Sequence, residues 1–321
     1  MFLMESEKIK GIIDKLAHMK RTNKFNSKSI TKFVFICGEQ IINESGTVKS
    51  REELEEEKNK RQFLIDKLSS NNVICIISEK IYSDGERLDT LTFEEVLAEL
   101  SDDILIIVES YGTVCELGAF TTNDKFFKKL IVINDNKYKD KKSFINKGPV
   151  RKLLSINEDR YILTEYDYDS FKSCFQIKEY IQKIKDKNVT ILPNRNSNKL
   201  QLKVLIYELL SIIEMFEPIM KFEINYIYKK VKGFDEYNIE NREKHGLNTP
   251  TLILKLMENM DLITVDGEYI CKKGDFTYYD ALFNISKENF SNIRVQVAYE
   301  IMKSFPERFS EDENENITVN E

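Results

Sequence analysis

Short apolar runs alternate with amphipathic segments through the first half of the chain. Each run spans four or five residues and stands before polar residues or a glycine, and the runs lie at 33–37, 73–77, 104–108 and 130–133. Continuous apolar runs of this length are typical of strands buried in a parallel sheet. Periodic segments between them predict helices at 50–69 on the surface, at 91–100 and from Cys115 onward. This alternation predicts an α/β fold with a Rossmann-like parallel sheet.

The second half of the chain has a different pattern. Helical periodicity predicts a helix at 5–20, a strongly apolar helix at 199–217, and further helices at 222–231 and 250–260. Asp266-Gly267 between two β-rich arms predicts a hairpin. Helix, helix and hairpin in this order predict a mostly helical winged helix-turn-helix domain. Four regions follow from these patterns: an N-terminal helix (1–28), the α/β domain (29–190), the winged-helix domain (198–305) after a linker, and a disordered acidic tail (306–321).

The composition of the chain limits the kinds of partner, cellular location and catalytic residue to be expected. The 321 residues suit two domains, and the net charge of −6 does not by itself indicate a nucleic-acid-binding protein. No apolar run reaches the ~18 residues of a membrane span, and the N-terminus does not resemble an export signal, so we expect a cytoplasmic protein. The five cysteines are scattered without metal-ligand spacing, which predicts reduced thiols and no metal. With only two histidines, His18 and His245, a carboxylate is the natural catalytic candidate.

The segment from Glu109 to Phe120 is the most informative in the chain. It joins a predicted strand to a helix, and Gly112 allows a ligand to approach the backbone closely. We expect Glu116 in the first turn of that helix, where the helix dipole favours an ionised carboxylate that could attack an anomeric carbon. An ordinary capping box formed by Thr113 and Glu116 is the structural alternative, and the spacing alone does not decide between them.

Ligands of parallel sheets bind beyond the carboxyl ends of the strands. The polar residues after the predicted strands are therefore candidate substrate-binding residues: Cys37, Gly38, Glu39, Glu79, Ser110, Tyr111, Gly112 and Thr113.

The GTxxELG motif after a buried strand resembles that of the nucleoside deoxyribosyltransferases. The resemblance implies that Glu116 is the nucleophile on the sugar. It also implies an acidic partner eight positions before Asp102, which is Glu94 here, although that family has Asp at this position. The family's Asp two positions before the motif glycine is replaced by Ser110, which argues against deoxyribose transfer.

A closer resemblance covers most of the chain. The FxCG loop at 35–38, the stretch 94–102, the ELGAF turn and KSFINKGPVR at 142–151, followed by a winged helix, are similar to the deoxyribosyltransferase-like effectors of bacterial retrons. The resemblance implies a toxin effector of antiphage defence that hydrolyses a ribosyl–base bond. It implies NAD as the leading substrate, with no separate cofactor. It also implies partners: a reverse transcriptase and its RNA–DNA product (msDNA), which would form a higher oligomer with the effector.

Basic residues are the candidate contacts to such a partner. Residues 137–152 carry seven positive charges and one negative charge, 7 − 1 = +6, and the same segment would also suit substrate phosphates. Charge runs of this kind are most often solvated loops. The expected contacts are Lys141, Lys142, Arg151, Lys272 and Lys273.

Two other functions fit the same sequence. The first is a DNA-binding regulator that senses a nucleotide through an inactive α/β domain, which would not need both Glu94 and Glu116. The second is base exchange between nucleosides, against which Ser110 argues.

Overall fold

A computed structural model of the chain describes residues 2–43, 47–70, 72–81, 89–191, 201–233 and 250–309. The chain forms two compact units. The first, here called the α/β unit, comprises Phe25–Ile191 and Glu240–Asn248. The second, called the helical unit, comprises Met1–Lys24, Leu192–Ile239 and Thr249–Glu321, so the N-terminal helix belongs with the C-terminal half of the chain. His245 and most of the acidic tail lie outside the described residues.

The described residues form the following strands: β1 Phe25–Ser27, β2 Lys32–Cys37, β3 Val73–Ile76, β4 Asp103–Ile107, β5 Leu130–Asp135, β6 Tyr161–Thr164, β7 Val189–Ile191, β8 Ile219–Met220, β9 Ile263–Asp266 and β10 Tyr269–Lys272. They form the following helices: α1 Glu7–His18, α2 Arg51–Glu56, α3 Lys60–Leu68, α4 Ser78–Ile81, α5 Thr90–Leu100, α6 Tyr111–Thr122, α7 Asp124–Phe127, α8 Arg151–Leu154, α9 Tyr168–Ser173, α10 Phe175–Asp186, α11 Leu202–Phe216, α12 Lys221–Lys232, α13 Pro250–Asn259, α14 Tyr279–Leu282 and α15 Lys287–Ser304.

A five-stranded sheet in the order β3-β2-β4-β5-β6 organises the α/β unit, and all its strand pairs are parallel. The predicted parallel sheet is thus confirmed, with its four predicted strands in place. The edge strand β6 was not predicted, because its four residues alternate between buried and half-buried positions and form no continuous apolar run. The order reverses between β2 and β4, and this switch point is where sheets of this kind bind ligands.

Side chains of each strand alternate between two buried faces. Val34 and Ile36 of β2 join a core cluster with Phe63 and Leu64 of α3. The alternate residue Phe35 packs on the opposite face, where its ring lies 6.0 Å from that of Phe120 in α6. Helices on both faces explain why the strands are apolar throughout rather than alternating with polar residues.

Two expectations need correction. The predicted single surface helix at 50–69 is two helices, α2 and α3, and α3 carries an arginine that is 1% exposed, Arg61. The linker predicted at 186–197 contains strand β7, which pairs antiparallel with β1. Charge-rich composition predicts exposure only on average, because a charged side chain with a good partner can be buried.

The helical unit contains the predicted hairpin. β9 and β10 pair antiparallel around Gly267 and Glu268, and β8 adds to β10 to give a sheet in the order β8-β10-β9. Arg308 and Glu223 form a buried bidentate ion pair in this unit, with N–O distances of 2.8 and 2.7 Å. Glu223 also accepts the backbone N–H groups of Leu3 and Met220, so one carboxylate joins the N-terminal segment to the start of α12 and to the turn after α15.

Candidate active site

The switch point of the sheet brings the ends of β2 and β4 together. The backbone N–H of Glu39, just after β2, donates to Glu109 Oε1 at 2.9 Å, just after β4. Glu109 Oε2 lies 3.0 Å from Lys60 Nζ. These contacts hold the loop after β2 against the loop after β4, and helix α6 begins at the end of the second loop.

Helix α6 begins at Tyr111, about one turn before the start expected at Cys115. Its N-cap is Ser110, whose hydroxyl accepts from Thr113 N at 3.3 Å, while Thr113 Oγ1 accepts from Ser110 N at 3.0 Å. The capping box is therefore formed by Ser110 and Thr113, and the structural alternative, a capping box of Thr113 and Glu116, is not present. Glu116 is the sixth residue of the helix and lies in its second turn, so it has no capping role.

The carboxyl group of Glu116 points toward β2 and α5. It forms hydrogen bonds with the Cys37 thiol and with Glu94, and the charge of Arg61 also acts on it. Its Oε2 atom is buried and has no hydrogen-bond partner among the described residues. Burial raises the pKa of Glu116 above its usual range, although Cys37 and Arg61 oppose the shift. Buried polar atoms are normally hydrogen-bonded, so a buried carboxylate oxygen without a partner needs an explanation. Its position at the switch point of the sheet makes Glu116 a candidate for the reacting group of an active site.

Glu94 is the second carboxyl group of this pair. It lies on α5 and is 8% exposed. Burial, followed by the charge of Glu116, raises its pKa to about 8, and a hydrogen bond with Ser78 only partly opposes this shift. Near neutral pH the pair therefore holds a proton, because two adjacent buried carboxylates cannot both ionise without a large cost.

Arg61 supplies the positive charge beside the pair. Its guanidinium donates to Glu79 through two bonds of 2.5 and 2.8 Å and to the carbonyl oxygen of Ile36 at 3.0 Å. Burial alone would raise the pKa of Glu79, but the bonds and charge of Arg61 hold it below its usual range. Glu79 was expected to bind substrate, which stays a prediction; the structure pairs its carboxylate with Arg61.

Cys37 and Gly38 serve this arrangement through packing. The Cys37 thiol is buried, which raises its pKa well above the usual value, and it remains a neutral donor to Glu116. A Cβ atom on Gly38 would come within 3.1 to 3.3 Å of three carbon atoms of Arg61. Glycine at this position therefore makes room for the arginine.

The remaining predicted substrate residues surround the start of α6. Tyr111 is 95% exposed, and Glu39 and Ser110 are also exposed. Thr113 is buried, and its hydroxyl donates to Ser110 O at 2.9 Å, so its role is to hold the turn. A Cβ atom on Gly112 would meet only Ser110 Oγ, at 3.7 Å, so protein packing gives no reason for this glycine.

The predicted partner-contacting residues divide into two groups. Lys141, Lys142 and Arg151 are exposed on the α/β unit. In the helical unit Lys273 is exposed and lies 2.9 Å from Asp261, whereas the side chain of Lys272 is only 8% exposed and is bound by Glu214 and the carbonyl oxygen of Phe276. The position of Lys272 suits a structural role better than contact with a polyanion.

Within the described ranges, no three His, Cys, Asp or Glu side chains are arranged to hold a metal ion. No described helix is long and apolar enough to cross a membrane.

A family model described as STM3845 retron effector protein matches residues 57–265, a range that contains Arg61, Glu79, Glu94 and Glu116. The chain belongs to this family of retron effector proteins. Two relatives from Escherichia coli support the assignment. The "Retron Ec86 putative ribosyltransferase/DNA-binding protein" is 33% identical over 147 residues, which are 44% of this chain and 44% of that protein. The "Retron Ec73 putative ribosyltransferase/DNA-binding protein" is 27% identical over 241 residues, which are 68% of this chain and 72% of that protein.

Sequence reasoning missed Arg61 of this retron effector's candidate site, and it placed Ser78 directly after a predicted strand without giving it a role. Ser78 begins the short helix α4 after β3, and its hydroxyl donates to Glu79 Oε2 at 3.1 Å besides contacting Glu94. Arg61 lies in the charge-rich helix α3, and the local sequence pattern does not distinguish it from the exposed charged residues nearby. The RQFL segment, an arginine beside apolar residues, was the available signal.

Replacing Arg61 by Met should destabilise the α/β unit by about 3 kcal/mol, because Glu79 would lose its buried partner. The free energy of unfolding in urea measures this effect. Arg61→Met with Glu79→Leu should be more stable than Arg61→Met alone, since it leaves no unpaired charge. Lys67→Met, an exposed change on the same helix, is the control. An Arg61→Met variant as stable as this control would contradict the proposed importance of the buried pair.

Proposed function

We propose that this retron effector is an N-glycosidase that cleaves the bond between a ribosyl group and a base. The observation that carries the proposal is the buried pair of Glu94 and Glu116 at the sheet switch point, in which Glu116 Oε2 has no hydrogen-bond partner among the described residues. The raised pKa of Glu94 agrees with a proton on the pair near neutral pH. Two carboxyl groups in different protonation states are the usual equipment for cleaving glycosidic bonds. The names of the two relatives agree with glycosyl chemistry.

The two carboxyl groups would act in sequence. Glu116 Oε2 attacks the anomeric carbon, or stabilises its developing positive charge, while the bonding electron pair leaves with the base. Glu94 provides the proton for a base that departs as an anion, and afterwards accepts a proton from the water that completes hydrolysis. Nicotinamide departs from NAD as a neutral molecule and takes no proton. With NAD, Glu94 would therefore release its proton to solvent once Glu116 has lost its negative charge, and would then accept a proton from the water, so that hydrolysis releases one proton overall.

Arg61 and Cys37 would prepare Glu116 for this role. The positive charge of Arg61 favours the ionised form of Glu116, and the thiol donates a hydrogen bond to the same carboxyl group. NAD is the substrate that the retron resemblance favours, and cleavage of NAD in the host cell would account for a defence effector. Under this proposal the α/β unit has a Rossmann-like fold of the nucleoside deoxyribosyltransferase type.

The helical unit would be a winged helix-turn-helix domain. α12, α13 and the β9–β10 hairpin follow each other in the order of such a domain, and β8 completes its small sheet. α13 offers one lysine, Lys255, and no arginine, which suits a protein or an RNA–DNA partner better than reading of DNA bases. We infer that a reverse transcriptase and its RNA–DNA product (msDNA) bind the effector and hold it inactive.

Glu116→Gln should reduce turnover by orders of magnitude, because the amide keeps the shape of the side chain but cannot act as a nucleophile. Purified protein would be assayed against NAD, nucleotides and nucleosides, with the released base and sugar product identified by mass spectrometry. Unchanged thermal unfolding would show that folding is intact. Near-normal turnover in this variant would eliminate Glu116 as the nucleophile.

Glu94→Ala and Glu95→Ala provide a matched comparison in the same assay. Both variants remove a carboxylate from adjacent positions of α5, but only Glu94 forms the pair with Glu116. Glu94→Ala should therefore lose far more turnover. A greater loss in Glu95→Ala would show that the wrong carboxylate has been assigned.

Co-expression with the neighbouring retron genes should yield a complex that contains reverse transcriptase and nucleic acid. Lys142→Glu, Arg151→Glu and Lys273→Glu should each weaken this complex at low salt. Their difference from the parent should shrink as salt rises, because each lost phosphate contact releases fewer counterions and lowers the salt dependence of binding. Lys178→Glu, an exposed change on α10, is the control for charge reversal. A chain that elutes alone and free of nucleic acid at low salt would overturn the partner proposal but not the glycosidase proposal.

A further inference from the structure

A cavity of about 790 Å³ lies at the carboxyl ends of β4 and β5 in the α/β unit. Its wall includes Val108 and Asn134 at these strand ends, Tyr111 and Val114 of α6, and the loop after β5. The volume falls within the range of about 300–1,000 Å³ typical of small-molecule sites. Glu94 and Glu116 do not line it.

Helix α6 separates the cavity from the carboxyl pair. Val114 lines the cavity, whereas Glu116 contacts Cys37 and Glu94. Two residues apart on a helix correspond to about 200° around its axis, so the two side chains face different sides. The cavity is therefore next to the candidate active site but distinct from it, and both adjoin the loop where α6 begins.

The lining combines two lysines and aromatic rings with one carboxylate, Glu109, which is paired with Lys60 at 3.0 Å. Lys137 and Lys141 line the cavity beside Tyr111, Tyr138 and Tyr166. Lys137 Nζ lies 2.6 Å from Asp135 and 4.9 Å from the ring centre of Tyr138. Within the described part of the chain, Lys141 forms no ion pair. A ligand that uses all these groups would carry both a phosphate and an aromatic ring.

Hydrogen bonds fix the loop that forms this wall. Asn146 Nδ2 donates to the carbonyl oxygens of Tyr138, Lys139 and Lys141 at 2.7, 3.3 and 2.8 Å. Asn146 N donates to Ser143 Oγ at 3.2 Å. A loop held by its own side chains loses little entropy when a ligand binds.

The opposite side of the lining is also held in place. Tyr166 Oη donates to the carbonyl oxygen of Ile133 at 2.8 Å, and Lys60 Nζ lies 5.3 Å from its ring centre. The burial that accompanies this contact raises the pKa of the Tyr166 hydroxyl, which remains a neutral donor. The cavity is thus bounded by fixed groups on both sides.

We propose that this cavity binds a phosphate-bearing nucleotide group, with Lys141 as the principal contact to the phosphate. The ligand is either the second half of the molecule cleaved at Glu116 or a separate nucleotide. The position of the cleaved bond rests on the proposed function, whereas nucleotide binding in the cavity does not. Lys141 then serves a small molecule rather than the nucleic-acid partner.

Calorimetric titration of the Glu116→Gln protein with ADP and with adenosine tests the proposal without turnover. ADP should bind at least about 10-fold more tightly than adenosine, because only ADP offers phosphate to the lysines. Lys141→Ala should weaken ADP binding about 10-fold and leave adenosine binding unchanged. Lys139→Ala is the matched control, since Lys139 lies in the same loop but does not line the cavity, and it should bind ADP as the parent does.

Absence of ADP binding would overturn the proposal, as would equal effects of Lys141→Ala and Lys139→Ala. A second titration, with ADP added to protein saturated with NAD, identifies the source of the nucleotide group. If ADP competes with NAD, the cavity holds the second half of the substrate. If ADP binds together with NAD, the cavity holds a separate ligand. Both results support the site. Failure of the wild-type protein to cleave any substrate would remove the glycosidase proposal and leave the ADP result standing.

Discussion

Two carboxyl groups buried side by side cannot both carry a negative charge at neutral pH without a large cost in free energy. Glu94 and Glu116 impose this constraint on the α/β unit, and the features around them follow from it. One proton must remain on the pair, a positive charge must lie nearby, and neutral donors must satisfy the oxygen atoms that face the protein. Arg61, Ser78 and the Cys37 thiol meet these requirements. Among the described residues Glu116 Oε2 has no hydrogen-bond partner, and the proposed function assigns this oxygen to the substrate.

The sheet topology makes this arrangement possible. The reversal of strand order between β2 and β4 places Cys37 and Gly38 next to the start of α6, and α5 packs on the same side to contribute Glu94. Arg61 reaches the site from α3, and a glycine at position 38 leaves the space it needs. The bidentate pair with Glu79 keeps the arginine from neutralising the two glutamates completely. The proposed reaction needs this partial neutralisation, since a carboxylate fully paired with an arginine would be a poor nucleophile.

The parallel sheet was predictable because its strands are buried on both faces and therefore form continuous apolar runs. The resemblance to the nucleoside deoxyribosyltransferases pointed to Glu116 and Glu94, and the structure brings these two side chains together. The helix start was mispredicted because serine and threonine both cap helices well, and the local sequence does not decide between Ser110 and Thr113. Arg61 and the inward position of Lys272 were missed for a different reason. Burial of a charged side chain depends on a partner distant in sequence, such as Glu79 or Glu214, and local patterns do not record that partner.

The most direct test of the central claim is a pH titration of the glutamate carboxyl groups by ¹³C nuclear magnetic resonance. Glu94→Gln and Glu116→Gln identify the two signals by their loss. One carboxyl group of the wild-type protein should titrate near pH 8, as expected from the pKa of about 8 for Glu94. In Glu116→Gln that pKa should fall but stay above the usual glutamate value, because the neighbouring charge is removed and burial remains. Titration of both groups near 4.5, the usual value, would contradict the account.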